Sequence, residues 1–358
     1  MYSEQDLRSA VDAGAITPQA AVALRNHIAA MRSAPTVDEE QFRLLTGFND
    51  IFVAIASALL LAAVAWIGAS VWAPLGGVAV AASAWGLAEY FTRTRRMALP
   101  SILLLLAFVA GVAGTLIGLI AENGPAMEAW IDSFENNKQV QYAIVGGIAA
   151  VIAAVTAGAA WLHWRRFMVP ITVAAGAVAV AAVVMALVLG VVPGAQDAVF
   201  PLVLAAGVAM FAFAMRWDMS DLERTTRRSD VAFWLHLAAA PMIAHSVFNM
   251  LGVFNQTISA GTAVVVVALY VAFAFVALAV DRRALLVSSL AYVLYALISL
   301  FRAAGSVELS AALTGLVIGS ALLLLSAFWH SARRSVVGML GGLNGMLPPV
   351  QQPVAAMG

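Results

Sequence analysis

The chain has no cysteine in its 358 residues. That excludes disulfides, thiolate metal sites and cysteine nucleophiles. Charge is scarce at 11% of residues, where a soluble globular domain carries about a quarter. Lysine is nearly missing, Lys138 being the only one, and 19 basic side chains balance 19 acidic ones. No global basic field exists to favour nucleic acid, which is not an expected partner. Residues 1–48 lack the basic patch and early apolar core of a signal peptide. No lipidation motif appears. Paired acids, a nucleophile motif and clustered histidines are also missing. The sequence therefore predicts no catalytic residue, no metal ligand and no cofactor.

What the chain has instead is apolar length. Hydrophobic residues make up 63% and the mean hydropathy is +0.94. One water-soluble core cannot bury that excess, so the lipid bilayer is the expected solvent. A crossing helix needs about 20 mostly apolar residues. Runs of that kind fall at 49–69, 73–91, 99–121, 140–162, 168–191, 198–215, 231–253, 259–280, 284–302 and 309–330. The predicted fold is all-α, a polytopic transmembrane helical bundle of about ten spans with a small N-terminal helical hairpin.

The arginines give the topology. Arg8, Arg25, Arg32 and Arg43 precede the first run, and Arg93, Arg95 and Arg96 follow the second. Arg165 and Arg166 follow the fourth; Arg216, Arg224, Arg227 and Arg228 follow the sixth. Arg282 and Arg283 follow the eighth, and Arg333 and Arg334 the tenth. Only Lys138 and Arg302 fall in the other gaps. Basic residues near span ends stay in the cytosol, so both termini are expected there. The long loop on the other side, 122–139, is acidic around Trp130, Ile131 and Phe134. It reads as an interfacial helix or as a ligand lid.

Three regions follow: a cytoplasmic amphipathic head at 1–48, a transmembrane domain at 49–334, and a tail at 335–358. The tail is apolar but broken by Gly341, Gly342, Pro348, Pro349 and Pro353, and is expected to be interfacial or disordered. In the head, Ser3 and Asp6 suit a capped start. Gly14 suits a helix end, and Thr17–Pro18 a new start. Val22, Leu24, Ile28 and Met31 make the second helix amphipathic, and a third is expected from Thr36. So small a hairpin buries little by itself. It packs locally, or residues 3–33 bind a protein partner or a second copy.

The stretch DLRSAVDAGAITPQAAVALRNHI, residues 6–28, resembles the opening of the bacterial membrane-protein family called domain of unknown function 2157. There, a hairpin with a similar turn precedes a train of membrane spans. The resemblance covers about the first 50 residues in motif. It implies a multi-pass protein of the bacterial cytoplasmic (inner) membrane, of unassigned activity, and supplies no catalytic residues.

Ionisable groups inside spans are costly and draw attention to function. Glu89 lies at the inner end of the second span, one turn from Arg93, and is expected to pair with it. The seventh span is the richest, with Trp234, His236, Pro241, His245 and Asn249. At 100° per residue Trp234, Pro241, His245 and Asn249 share a broad face, while His236 points nearly opposite. Pro241 removes a backbone hydrogen bond and should kink the helix. His245 and Asn249 then line the opened space or bond neighbouring helices. The two histidines are badly disposed for a bidentate metal site, and no carboxylate accompanies them mid-span. Ala110, Gly114 and Gly118, like Ala311, Gly315 and Gly319, form small-residue stripes suited to close helix packing.

Function divides into classes. A non-enzymatic scaffold or sensor bundle with a cytoplasmic interaction head fits the scarce buried charge. The alternative is a secondary or facilitative transporter with its site at the kinked seventh span. Ten spans with both ends inside would permit two inverted halves, but no half-to-half similarity is visible. An intramembrane enzyme has no motif to support it.

Overall fold

The computed structural model describes residues 4–24, 48–222, 224, 226–253, 259–305, 308–343 and 346–350. The chain divides into two units, Met1–Arg43 and Leu44–Gly358.

In the first unit α1 spans Glu4–Asp12. Gly14 adopts φ +69°, and the N–H groups of Gly14 and Ala15 donate to the carbonyls of Val11 and Ala10 at 2.9 and 2.8 Å. This left-handed closure satisfies carbonyls that the helix end leaves open. Helix α2 starts at once and covers 18–24. Thr17 Oγ1 accepts from the N–H of Ala20 at 3.1 Å, with Pro18 in the first helical position, where its missing N–H costs nothing. Ser3, Ile28, Met31 and the third helix expected from Thr36 lie outside the described residues.

The second unit is helical throughout its described residues. Its elements are α3 (Phe48–Val71), α4 (Ala73–Ala88), α5 (Ala98–Glu122), α6 (Gly124–Asp132), α7 (Lys138–Phe167), α8 (Ile171–Val191), α9 (Val199–Met219), α10 (Arg227–Met250), α11 (Ala260–Val280), α12 (Ala284–Ala303), α13 (Ser310–Ala327) and α14 (Trp329–Met339). Among the described residues 9 helices are long and apolar enough to cross a membrane. The chain is thus an all-α, multi-pass helical membrane protein. Helix α4 has only 16 residues, but a π-helical turn, Glu89–Thr94, continues it. The rod from 73 to 94 is the second run of the sequence. The long loop holds α6, with Trp130 half exposed.

Packing follows chain order for the most part. Helix α4 packs on α3 and α5, α7 on α5 and α8, and α10 on α9 and α12, while α8 reaches α10 and joins the two halves. Close approach is made by missing side chains. A Cβ on Gly77 would lie 2.6 Å from the carbonyl oxygen of Gly111, and one on Gly68 would lie 2.8 Å from Gly76 Cα. Small residues of this kind let helix backbones touch in a solvent that gives no hydrophobic drive between helices. Large apolar side chains face outward instead; Phe52, Leu59 and Trp66 of α3 are 65, 68 and 81% exposed.

The first part of the expected tail is folded. Helix α14 runs on to Met339, and Leu347 packs with Val280 and Val337. Residues 351–358 lie outside the described residues.

Candidate functional site

Most of the buried charged residues of the second unit gather at its arginine-rich end, where α9, α11 and α13 finish and α10, α12 and α14 begin. Asp218 stands one residue before the end of α9 and is 2% exposed. Arg282 Nη2 donates to Asp218 Oδ1 at 2.6 Å and to the Ser229 carbonyl at 3.1 Å. His236 Nε2 lies 2.9 Å from Asp218 Oδ2. The His236 ring packs edge-on against Phe211. Helices α9 and α10 are antiparallel neighbours with a short connection, so a side chain two turns into α10 meets the last turn of α9.

A second cluster centres on the adjacent carboxylate, Asp281. Arg224 Nη1 donates to Asp281 Oδ2 at 2.8 Å and Trp329 Nε1 to Oδ1 at 2.8 Å. Arg333 Nε approaches Oδ1 at 3.6 Å. The same guanidinium donates to the carbonyls of Pro348 and Pro349, which ties the folded tail to α14. Asp281 has φ +57°, a left-handed conformation unusual for a residue with a Cβ, and so ends α11 within one residue. That sharp end makes sequence neighbours of opposite charge face two different clusters. Asp221 Oδ2 accepts from both the N–H and the hydroxyl of Thr226, at 2.9 and 2.7 Å, which closes the loop into α10.

Buried charges are tolerated only when paired and hydrogen-bonded. The carboxylates of both clusters meet that condition, and together the clusters tie α9, α10 and α14 to the α11–α12 junction. Chemically they hold charge in place. Among the described residues no group of three or more His, Asp or Glu could hold a metal.

The residues expected from the seventh span, α10, are dispersed. His236 belongs to the Asp218 cluster. Trp234 lines an apolar groove on the α8 side. Pro241 and His245 are exposed at the surface of the second unit, and Asn249 is half-buried. His245 Nδ1 lies 2.7 Å from Tyr292 Oη of α12, whose ring stacks on Phe248 at 4.4 Å. A carboxylate does stand beside His236, at the end of a span and not in its middle: Asp218. It was missed because the sixth apolar run ends at 215 and Asp218 then counts as loop.

Glu89 does meet Arg93, at 3.3 Å, but its stronger partner is Arg166 of α7, whose Nε and Nη2 reach its two oxygens at 2.7 and 2.9 Å. Of the small-residue stripes, Gly118 packs against Pro74, where a Cβ would lie 2.9 Å from the Pro74 backbone. Gly114, Gly315 and Gly319 have open space where a Cβ would stand, and Ala110 and Ala311 are exposed.

Asp218, Asp281, Arg224, Arg282, Trp329 and Arg333 were not singled out from the sequence. The arginines read as topology markers alone. One signal was available: Asp281–Arg282–Arg283 fills a tight junction between two apolar runs without glycine or proline.

The groove beside Trp234 has a volume of about 630 Å³ and runs between α5, α7, α8 and α10. Comparison with protein families, with curated proteins and with solved structures finds no match to this chain.

Proposed function

We propose that the chain is a non-enzymatic scaffold- or sensor-type bundle of the bacterial inner membrane, with a cytoplasmic head that docks a protein partner or a second copy. One observation carries this reading. The buried ionisable groups Asp218 of α9, His236 of α10, Arg333 of α14, Arg224 of the α9–α10 loop and Asp281 and Arg282 of the α11–α12 junction are bound to one another at a single end of the bundle. This fixes helix ends, as a rigid platform requires. By the retention of arginine in the cytosol, the networked end faces the cytoplasm. The Glu89–Arg166 pair lies on that same side of the bundle. The bacterial assignment and membership of the domain of unknown function 2157 family rest on the head motif, whose turn has the Gly14 closure and Thr17 cap read from the sequence.

Deleting residues 1–36 tests this reading. The expected result is loss of a co-purifying protein or a smaller oligomer, with insertion intact. If composition and size both stay the same, the head is local packing and the interaction reading fails.

The runner-up is a facilitative carrier. The exposed His245–Tyr292 hydrogen bond on α10 and α12 favours it, because a polar pair at mid-membrane offers a polar solute a contact. Replacing His245 and Asn249 with alanine would then abolish flux in vesicles. Unchanged flux removes the carrier site.

A further inference from the structure

The π-helical turn at Glu89–Thr94 and the last turn of α7 meet through Glu89. Its carboxylate accepts from Arg166 of α7 at 2.7 and 2.9 Å and from Arg93 at 3.3 Å. One acid thus holds two guanidinium groups side by side. Arg95, Arg96 and Arg165 stand next to them in sequence, exposed and with no carboxylate partner among the described residues. They differ in this from Arg224, Arg282 and Arg333, which the buried aspartates take up. Asp50, the other acid on this side of α3–α7, is buried and has a partner of its own. The C-terminal ends of the two helices offset about one positive charge between them. Five arginines against Glu89 therefore leave an excess of about three charges at this corner.

Depth sets these groups among lipid headgroups. Arg93 lies 20 residues beyond Ala73, the first residue of its rod. At 1.5 Å per residue that is about 30 Å, the thickness of the hydrocarbon core. On α7 the exposed Tyr142 and Trp161 stand 19 residues apart, about 28 Å, as aromatic side chains do at the two faces of a bilayer. Arg165 follows one turn later and lies over the Trp161 ring at 5.2 Å. Arg95 lies over the half-exposed Tyr90 ring at 5.6 Å and donates to its hydroxyl at 3.3 Å. On an α-helix two residues five apart would point about 140° away from each other. The wider π turn brings this pair together. Both guanidinium groups are thereby held against interfacial rings, at phosphate depth.

We propose that this corner binds the headgroup phosphate of an anionic phospholipid from the arginine-side leaflet. Arg95, Arg96 and Arg165 supply forked N–H donors that match phosphate oxygens. Glu89 keeps Arg93 and Arg166 together beside them without mutual repulsion. Basic pockets between membrane helices recognise headgroups by the same chemistry. A zwitterionic headgroup carries its own ammonium into the positive field and loses much of the attraction.

Native mass spectrometry of the full chain in neutral detergent tests this, with phosphatidylglycerol or phosphatidylcholine of the same acyl chains added. Phosphatidylglycerol should be retained about tenfold more. The triple change Arg95→Gln, Arg96→Gln and Arg165→Gln should bring its retention down to the phosphatidylcholine level. Arg165→Gln alone, for use if the triple variant does not insert, should lower retention about threefold. A control with Arg216→Gln, Arg228→Gln and Arg334→Gln, also exposed at the arginine-rich end, should retain the lipid as the native chain does. Equal retention of the two lipids by the native chain overturns the proposal, as does an equal loss in the control. Displacement of bound phosphatidylglycerol by millimolar glycerol phosphate would mean that the corner takes the free anion and not the lipid, and overturns it too.

Discussion

Asp281 is the residue on which most depends. Its carboxylate takes an indole N–H and an arginine N–H, while Arg282 next to it holds Asp218. Removing one partner of such a buried pair leaves an uncompensated charge, at a loss of about 3–5 kcal/mol. Arg282→Ala should therefore lower stability by about that much, measured by thermal unfolding in detergent. The double change Asp218→Leu with Arg282→Met should lose less than Arg282→Ala alone, because it removes both charges together. The pair Glu89–Arg93, at the surface, should show no measurable loss on Glu89→Gln beyond what Arg166 contributes. Residue-level chemistry was the least legible part of the sequence. A helical wheel places His236 away from Trp234 and His245. It cannot say that the far side meets Asp218, because that contact depends on how α9 returns beside α10.

Helices were far easier to read than their contacts. Apolar runs bounded by arginine or by Gly and Pro mark the spans, since lipid demands length and internal hydrogen bonding. The turn in the head was equally legible, because Gly14 and Thr17–Pro18 are local signals. Which glycine faces a neighbour was not legible, because alanine and glycine recur on every face. On α5 the tight contact uses Gly111 and Gly118, while Gly114 looks onto open space. A Cβ at Gly77 would sit 2.4 Å from the Thr115 nitrogen, on backbone that cannot give way. Gly77→Val should lower stability by about 1–3 kcal/mol through overpacking. Gly315→Ala on α13 should change it by no more than about 0.5 kcal/mol. Parallel thermal unfolding of the two variants measures the contrast; equal effects would mean that α4 and α5 do not meet at Gly77.

At the scale of the whole molecule, two ends of unlike character face each other across the bundle. One collects the arginines and the buried clusters; the other has the acidic α6 loop and Lys138. The absence of cysteine makes that polarity directly measurable. Thr94→Cys and Ser220→Cys should react with a membrane-impermeant maleimide from the same side, and Ser133→Cys from the opposite side. Labelling of Thr94→Cys and Ser220→Cys from opposite sides would remove the proposed orientation. The bundle was legible at this scale because guanidinium placement and run length are both one-dimensional signals. The joining of its halves by α8 and α10 was not, since packing partners far apart in sequence leave no periodic trace.

The tie from Asp281 to Trp329 and Arg333 also has a consequence for biosynthesis. Asp281 is synthesised 48 residues before Trp329, so a chain that ends before α14 has the Arg224 contact to that carboxylate but not the donors of α14. Tertiary closure at this end then waits for the last helix. A nascent chain released at Phe328 should be inserted yet short-lived in pulse-chase, handed to quality-control proteases by an anion whose donors never arrived. A full-length lifetime for that truncated product would show that closure does not wait for α14.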